Sequence, residues 1–278
     1  MRVITMNIQG GKRADGTIGD LVAVGREVAA YQPDIVAVQE LDYHQHRSGW
    51  RDQLADLAEG LGYPAESTAR ACFFSGQARS VRLPSLTFTP GNTWPKRLGS
   101  TLHAAAPTIG GFGVGVLTPH PITRVMRARL GAAPPRIRRT SSGGIAGTGW
   151  TAYMGQNRTL LGVEVDVDGQ STRVGVAHLE LGTATARAQL RRAWGLLNND
   201  FEGVALLAGD MNLPASAVRE VTGVDAALDA TAPTFPVTNP TSAIDHVLAA
   251  GPIRLAKVQT TAFSVGDHRA LIADFDAA

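Results

Sequence analysis

Thiols are almost absent from this chain: Cys72 is the only cysteine in 278 residues. That excludes an internal disulfide and any zinc or iron–sulfur site built on paired thiolates. Cys72 itself reads as a small buried hydrophobe. Long apolar runs are missing too, and no stretch approaches the ~18 residues of a spanning helix. The first residues, Met1-Arg-Val-Ile-Thr-Met-Asn7, show neither an apolar leader core nor a small-residue cleavage pattern, so a cytoplasmic protein is the simplest expectation. There is no Gly-x-x-x-x-Gly-Lys-Ser/Thr loop and no Gly-x-Ser-x-Gly elbow. This argues against a nucleotide-driven kinase or ATPase and against a nucleophilic-serine hydrolase.

Acidic residues are missing from one long interval. Between Glu66 and Glu164 there is no Asp or Glu, yet twelve basic residues fall there: Arg70, Arg79, Arg82, Lys96, Arg97, Arg124, Arg127, Arg129, Arg136, Arg138, Arg139 and Arg158. The net charge of +2 hides this asymmetry, because the rest of the chain carries 14 basic against 24 acidic side chains. A basic middle with acidic ends suggests a polyanionic partner on one surface and a metal-holding pole elsewhere. The plainer alternative is a solvated arginine face.

What is present centres on Val204-Ala-Leu-Leu-Ala-Gly-Asp-Met-Asn-Leu-Pro214. An apolar run of strand length ends at a glycine and delivers Asp210 and Asn212, which an extended backbone would place on one face. Open α/β sheets present chemistry in this way, at the carboxyl ends of strands. A buried strand followed by an Asx turn is the bland alternative.

The remaining chain shows the same habit. A strand from Arg2 to Met6 leads to Asn7 and Gln9, and Asp20 to Tyr31 has helical spacing with Asp20 as N-cap. Ile35 to Val38 is a short buried strand ending in Gln39-Glu40. Trp50 to Leu61 reads as a second helix. Phe112 to Leu117 and Ile122 to Leu130 read as a hairpin around Pro119-His120-Pro121. Residues 158–167 and 172–177 form a strand pair around the type I′ signal Asp168-Gly169. The second of these strands ends at His178. Ala184 to Leu197 is helical, and strands follow at 243–248, 253–261 and 266–275. One domain spanning 1–278 is expected, with irregular insertions near 76–111 and 131–149.

Six strand ends thus carry polar groups: Asn7, Glu40, His178, Asp210 with Asn212, Asp245 with His246, and Asp267 with His268. Carboxylates, amides and imidazoles without thiols suit Mg²⁺ or Mn²⁺, which are held by hard oxygens and keep several waters. His246 follows Asp245 on a strand, points to the other face and reads as structural. His44, His46, His103 and His120 read mostly as surface or loop histidines. Asp274 and Asp276 belong to the far end of the last strand, and Gln9 either touches a phosphate or caps the first strand.

The order of motifs resembles the endonuclease/exonuclease/phosphatase superfamily, which includes deoxyribonucleases, abasic-site endonucleases, sphingomyelinases and inositol-phosphate phosphatases. The likeness runs from Val3 to Phe275. It rests on Met6-Asn7-Ile8, the Gln39-Glu40 strand, Gly113 to Ile122, Ala177-His-Leu179, Gly209-Asp-Met-Asn212, Ile244-Asp-His246 and Gly266-Asp-His-Arg269. It implies an α/β fold: a four-layer α-β-β-α sandwich of two mixed β-sheets flanked by helices. By this resemblance Glu40 is the principal metal carboxylate, with Asn7 beside it and Asp267 nearby, for Mg²⁺ or Mn²⁺. Asp210 orients or deprotonates the attacking water, and Asn212 holds phosphate or that water. His268 sits on the scissile phosphate. His178 is a second imidazole, which stabilises phosphate or protonates the leaving group. Asp245 pairs with a histidine, either His268 or His178. The loop that carries Arg136, Arg138 and Arg139 fits no subfamily signature, and is expected from its charge to border the substrate cleft.

Family nucleases usually add a further polar residue from the segment that here holds the 76–111 insertion, and no counterpart stands out. The acid-free interval favours nucleic acid, DNA or RNA, as substrate. The same constellation would equally serve a phosphatase or phospholipase C-type hydrolase of a small phosphorylated molecule or lipid headgroup. A catalytically silent scaffold is the third possibility. Nothing in the sequence points to a protein partner.

Overall fold

A computed structural model describes residues 1–64, 67–74, 111–139, 150–153 and 155–278, with the side chains of 72–74, 136–139 and 150–153 outside the described set. Strand β1 (Arg2–Asn7), helix α1 (Leu21–Ala29) and strand β2 (Ile35–Tyr43) open the chain in the expected order. Asp20 caps α1, its Oδ1 accepting from Val22 N at 3.0 Å and Ala23 N at 3.4 Å. Helix α2 covers Gln53–Leu61 and not Trp50 onward, because Asp52 takes the cap position and Trp50 has a left-handed φ of 62°.

Next come β3 (Thr68–Phe74), β4 (Gly111–Leu117) and β5 (Ile122–Gly131). The expected hairpin between β4 and β5 does not form. Strand β4 pairs with β2 and β3, whereas β5 pairs with β8 (Arg158–Val167) in the other sheet. The Pro119-His120-Pro121 link carries the chain across instead, consistent with prolines that cannot donate to a ladder. Strands β6 (Arg136–Arg139) and β7 (Trp150–Tyr153) form a separate ribbon. The expected β8–β9 pair is present, with β9 at Gln170–His178 and positive φ at both Asp168 and Gly169. Helix α3 (Thr183–Asn198), β10 (Val204–Asp210), α4 (Ala215–Thr222), β11 (Asp229–Thr231), β12 (Asp245–Ala250), β13 (Ile253–Thr261) and β14 (Ala270–Ala277) complete the chain.

Two six-stranded mixed sheets result, ordered β13-β14-β1-β2-β4-β3 and β11-β12-β10-β9-β8-β5. Between them lies a dry layer that includes Val3, Ile35 and Phe275 from the first sheet and Val163, Leu206 and Val247 from the second. Helices α1 and α2 cover the outer face of the first sheet through Val24, Val28, Leu54 and Leu57. Helices α3 and α4 cover the second through Leu190, Leu197 and Val218. This is the four-layer α-β-β-α sandwich that the family resemblance implied.

Both sheets follow one plan. Each has a central parallel pair, β1/β2 or β9/β10, flanked by an antiparallel strand, β14 or β12. Parallel neighbours end at the same edge, and an antiparallel neighbour begins there. Register pairs Asn7 with Gln39 in one sheet, and Asp210 with both His178 and Asp245 in the other. Asp267 and His268 lie just before β14 starts. Topology therefore gathers all six polar strand ends along one edge of the sandwich.

Candidate active site

Asp210 ends β10 and is buried. Its Oδ1 accepts from Asn212 N at 3.0 Å, and its Oδ2 accepts from Asn7 Nδ2 at 3.2 Å, a bond that crosses from one sheet to the other. Extended backbone does not continue to Asn212, whose φ of 50° is left-handed. The expected same-face pair is thus an Asx turn, in which Asn212 Nδ2 donates to Leu179 O at 2.9 Å. Gly209 has a φ of 146°, and a Cβ there would stand 1.9 Å from Ala177 O. Only glycine lets β10 run this close to β9.

Asn7 also donates to Glu40 Oε1 at 3.3 Å, so one amide links Asp210 to Glu40. Glu40 owes its aim to a bulge: pairing of β2 with β4 slips between Val38 and Leu41, and Glu40 takes a φ of 55°. Gln39 stays inside, bonded to Thr5. Gln9 donates from its backbone to Asn7 Oδ1 at 3.1 Å and from Nε2 to Asp267 Oδ2 at 2.9 Å. It is therefore a bracket between β1 and the start of β14, more than a strand cap.

The alternative pairings of Asp245 are resolved by distance. His268 Nδ1 lies 2.8 Å from Asp245 Oδ2, and His268 Nε2 lies 3.8 Å from Asp210 Oδ2. His178 Nε2 faces Asp210 Oδ2 at 3.5 Å. Thr234 Oγ1 donates to Asp245 Oδ2 at 2.5 Å, and the Phe235 ring sits 4.9 Å from the His268 ring. Arg269 N and Val237 N tie this 234–237 segment to the residues flanking His268. Thr234 and Phe235 escaped the sequence reading because their segment has no periodicity. A buried hydroxyl between two strand-end motifs is visible only in three dimensions.

Arg158 was counted as one base among twelve, but it is buried at the start of β8, beside the end of β9. Burial lowers His178 well below the usual imidazole value, and the positive charges of Arg158 and His268 lower it further. His178 is therefore a neutral imidazole at neutral pH. Burial and the charge of Asp245 raise Asp210 to about 7, against the opposing pull of His268 and the hydrogen bonds from Asn212 and Asn7. Burial alone would lower His268, but the hydrogen bond and charge of Asp245, with Asp210 and Asp267, take it up to about 9. His268 is thus an imidazolium held between two carboxylates.

The remaining predicted positions lie elsewhere. His246 is buried, with Nδ1 2.8 Å from Asp229 Oδ1 and Nε2 3.1 Å from Leu213 O, a satisfied core histidine as expected. His120 pairs with Asp34 at 3.2 Å. Asp274 and Asp276 pair with Arg2 and Arg254 at the opposite edge. His103, the 76–110 part of the insertion and the 140–149 loop lie outside the described residues, as do the side chains of Arg136, Arg138, Arg139 and Cys72.

The model of the Endonuclease/Exonuclease/phosphatase family matches residues 4–268. The chain belongs to that family. It is accordingly a metal-dependent phosphoester hydrolase. Among solved structures, an endonuclease/exonuclease/phosphatase from Beutenbergia cavernae superposes with a TM-score of 0.63 at 20% identity, covering 100% of this chain and 72% of that one. TDP2 from D. rerio, complexed with a single-strand DNA product, gives 0.54 at 19% identity over 100% and 99% of the two chains. A mannosyl-6-phosphatase from Bacteroides thetaiotaomicron gives 0.58 at 12% identity over 99% of each. A search of curated proteins finds no match.

Two sets of this edge could hold the family's cation. Asp210, Asp245 and His268 offer ligand atoms within 4.8 Å of one another, and Asp245 Oδ1 is buried without a hydrogen-bond partner among the described residues. Asn7, Glu40 and Asp267 offer hard oxygens, with Glu40 partly open and the Asp267 side chain 41% exposed. Among the described residues no helix is long and apolar enough to cross a membrane.

Proposed function

We propose that this protein is a divalent-metal-dependent phosphodiesterase that hydrolyses nucleic acid by in-line attack of water. The observation that carries the reading is the continuous chain Asp245–His268···Asp210–Asn7–Glu40, which joins a carboxylate-held imidazolium, a raised carboxylate and a metal-type carboxylate across the two sheets. Asn7, Glu40 and Asp267 would hold Mg²⁺ or Mn²⁺. Their open carboxylates leave room for the waters these ions retain, whereas His268 already shares its Nδ1 proton with Asp245 in a buried setting. When bound, the ion neutralises phosphate oxygens and steadies the leaving oxygen.

The protein's own groups supply the other parts. Asp210, as carboxylate, accepts the proton of the attacking water, with Asn212 fixing its orientation through the Asx turn. His268, kept cationic by Asp245, faces the developing charge on the scissile phosphate. His178 is neutral and acts by hydrogen bonding rather than as a cationic acid, with the buried Arg158 providing the positive charge beside it. The nucleic-acid choice rests on the acid-free interval. Its strands β3 and β5 form the same flank of both sheets, and Arg127 Nε bridges them to Arg70 O at 2.8 Å. Arg136, Arg138 and Arg139 follow β5 in the chain and would add positive charge to the substrate surface.

Relatives in fold act on or hold different phosphates, a mannose phosphate in one case and single-stranded DNA in another, so substrate must be read experimentally. A panel of duplex, abasic and single-stranded DNA, RNA, and sugar, inositol and lipid phosphate esters tests the proposal with Mg²⁺. We expect turnover of a nucleic acid, with KM climbing steeply as salt rises. Turnover confined to a small or lipid ester, indifferent to added DNA, would overturn it.

A further inference from the structure

Trp50 is half exposed, whereas most large apolar side chains among the described residues are inside. It stands on the 44–51 loop, which leaves β2 a few residues after Glu40 and is closed at its root by the Tyr43–Asp52 bridge and by His44 N donating to Arg51 O at 2.9 Å. His44 and Trp50 both have left-handed backbones, with φ of 48° and 62°. Bulky L residues rarely adopt this conformation, and such outliers gather where a side chain must be held at a set angle. The surroundings fix it: Trp50 N donates to Gln45 O at 2.8 Å, and Arg51 grips Asp56 with two bonds.

The loop's root rests on the turn that follows Asn7. Gln53 takes Asp42 N on its Oε1 at 2.8 Å and donates from Nε2 to Gly10 O at 2.7 Å. Arg47, paired with Asp42, also lies in the field of Glu40. The loop therefore adjoins the proposed metal pole. Its surface is a run of flat π faces: His46 meets Trp50 edge-on at 5.8 Å, Tyr43 stacks on His44 at 4.1 Å, and Arg70 lies 4.4 Å over Tyr43. Its cations are already paired, Arg47 with Asp42, Arg51 with Asp56 and Arg70 with Asp52. Gripping a phosphate is thus not what this surface offers, and among the described residues of the loop the exposed groups are rings and guanidinium planes rather than aliphatic chains. Rings and guanidinium planes suit the face of a base, which stacks regardless of sequence.

The geometry points to the 44–51 loop as a base-stacking platform, with Trp50 taking the face of a nucleobase beside the scissile phosphate. This rests on the nucleic-acid reading of the same site. The test measures KM and kcat for Mg²⁺-dependent cleavage of one single-stranded oligonucleotide by wild type, Trp50→Ala and Trp50→Phe. It repeats them with an abasic nucleotide on either side of the cleaved bond. Trp50→Ala should raise KM about ten-fold or more, with kcat within about two-fold, and Trp50→Phe should recover most of the loss. An abasic nucleotide on one side should raise the wild-type KM similarly and erase the difference between wild type and Trp50→Ala. An unchanged KM in Trp50→Ala, or a loss that persists with abasic nucleotides on both sides, would overturn the platform and leave the nuclease standing. Wild-type enzyme that cleaves no oligonucleotide but hydrolyses a small or lipid ester would overturn both.

Discussion

At the scale of residues, the centre of the candidate site is a set of buried ionisable groups, His178, Asp210, Asp245 and His268, whose charges are decided by their neighbours. His268 is pulled up to about 9 by Asp245 and the other carboxylates, and Asp210 up to about 7 by burial and Asp245. In the roles proposed for them, Asp210 as base must be unprotonated and His268 as electrostatic stabiliser must be protonated. Activity should therefore rise with pH through about 7 and fall through about 9. Asp245→Asn removes the partner that holds the proton on His268, so the alkaline fall of its pH–rate profile should set in at lower pH. An alkaline limb that stays in place would show that another group governs it. Most of these residues were legible in sequence because each ends or begins an apolar run: Asn7, Glu40, His178, Asp210, Asp245, Asp267 and His268. What sequence could not supply was pairing. Asp245 had two candidate histidines until the fold put His268 at 2.8 Å and turned His178 toward Asp210.

Elements explain why these side chains can meet. Asp210 reaches the edge only because β10 runs against β9 with no Cβ at Gly209, where a methyl would strike Ala177 O. Gly209→Ala should destabilise the fold by about 3 kcal/mol and displace Asp210, so thermal unfolding and turnover should fall together. A melting temperature equal to wild type would contradict the tight β9–β10 approach. Sequence patterning found the long periodic elements, and the strand it places at Ile253 to Thr261 is β13 with the same bounds. It misread those decided by tertiary contact. The run 112–130 looked like a hairpin because two apolar strands flank a proline turn, yet the strands serve different sheets. Helix α2 was begun too early at Trp50, since a tryptophan at helical spacing reads as core and here faces solvent. Asn212 looked coplanar with Asp210 by strand alternation, while the actual chain turns at that point.

For the whole molecule, the two-sheet plan is the device that builds the site. Each half brings a parallel pair and an antiparallel neighbour to one edge. The first half contributes Asn7, Glu40, Asp267 and His268, and the second contributes His178, Asp210 and Asp245. Neither sheet alone holds a complete set, and the bond from Asn7 to Asp210 at 3.2 Å spans the seam. This architecture was expected through the family that the order of strand-end motifs resembles, not from the strands' own patterning. The insertions near 76–111 and 131–149 gave no such signal, since sequence without periodicity carries no register to read. The measurement that tests the account most directly is the rate of oligonucleotide cleavage as Mg²⁺ is titrated after chelation, for wild type, Glu40→Gln and Asp210→Asn. Wild type should be silent in chelator and restored by Mg²⁺ or Mn²⁺, and Glu40→Gln should need more metal for half its maximal rate. Asp210→Asn should lose roughly 10²- to 10⁴-fold in rate at saturating metal. Cleavage that persists in chelator, or an Asp210→Asn protein as fast as wild type, would contradict a metal-dependent hydrolysis at this edge.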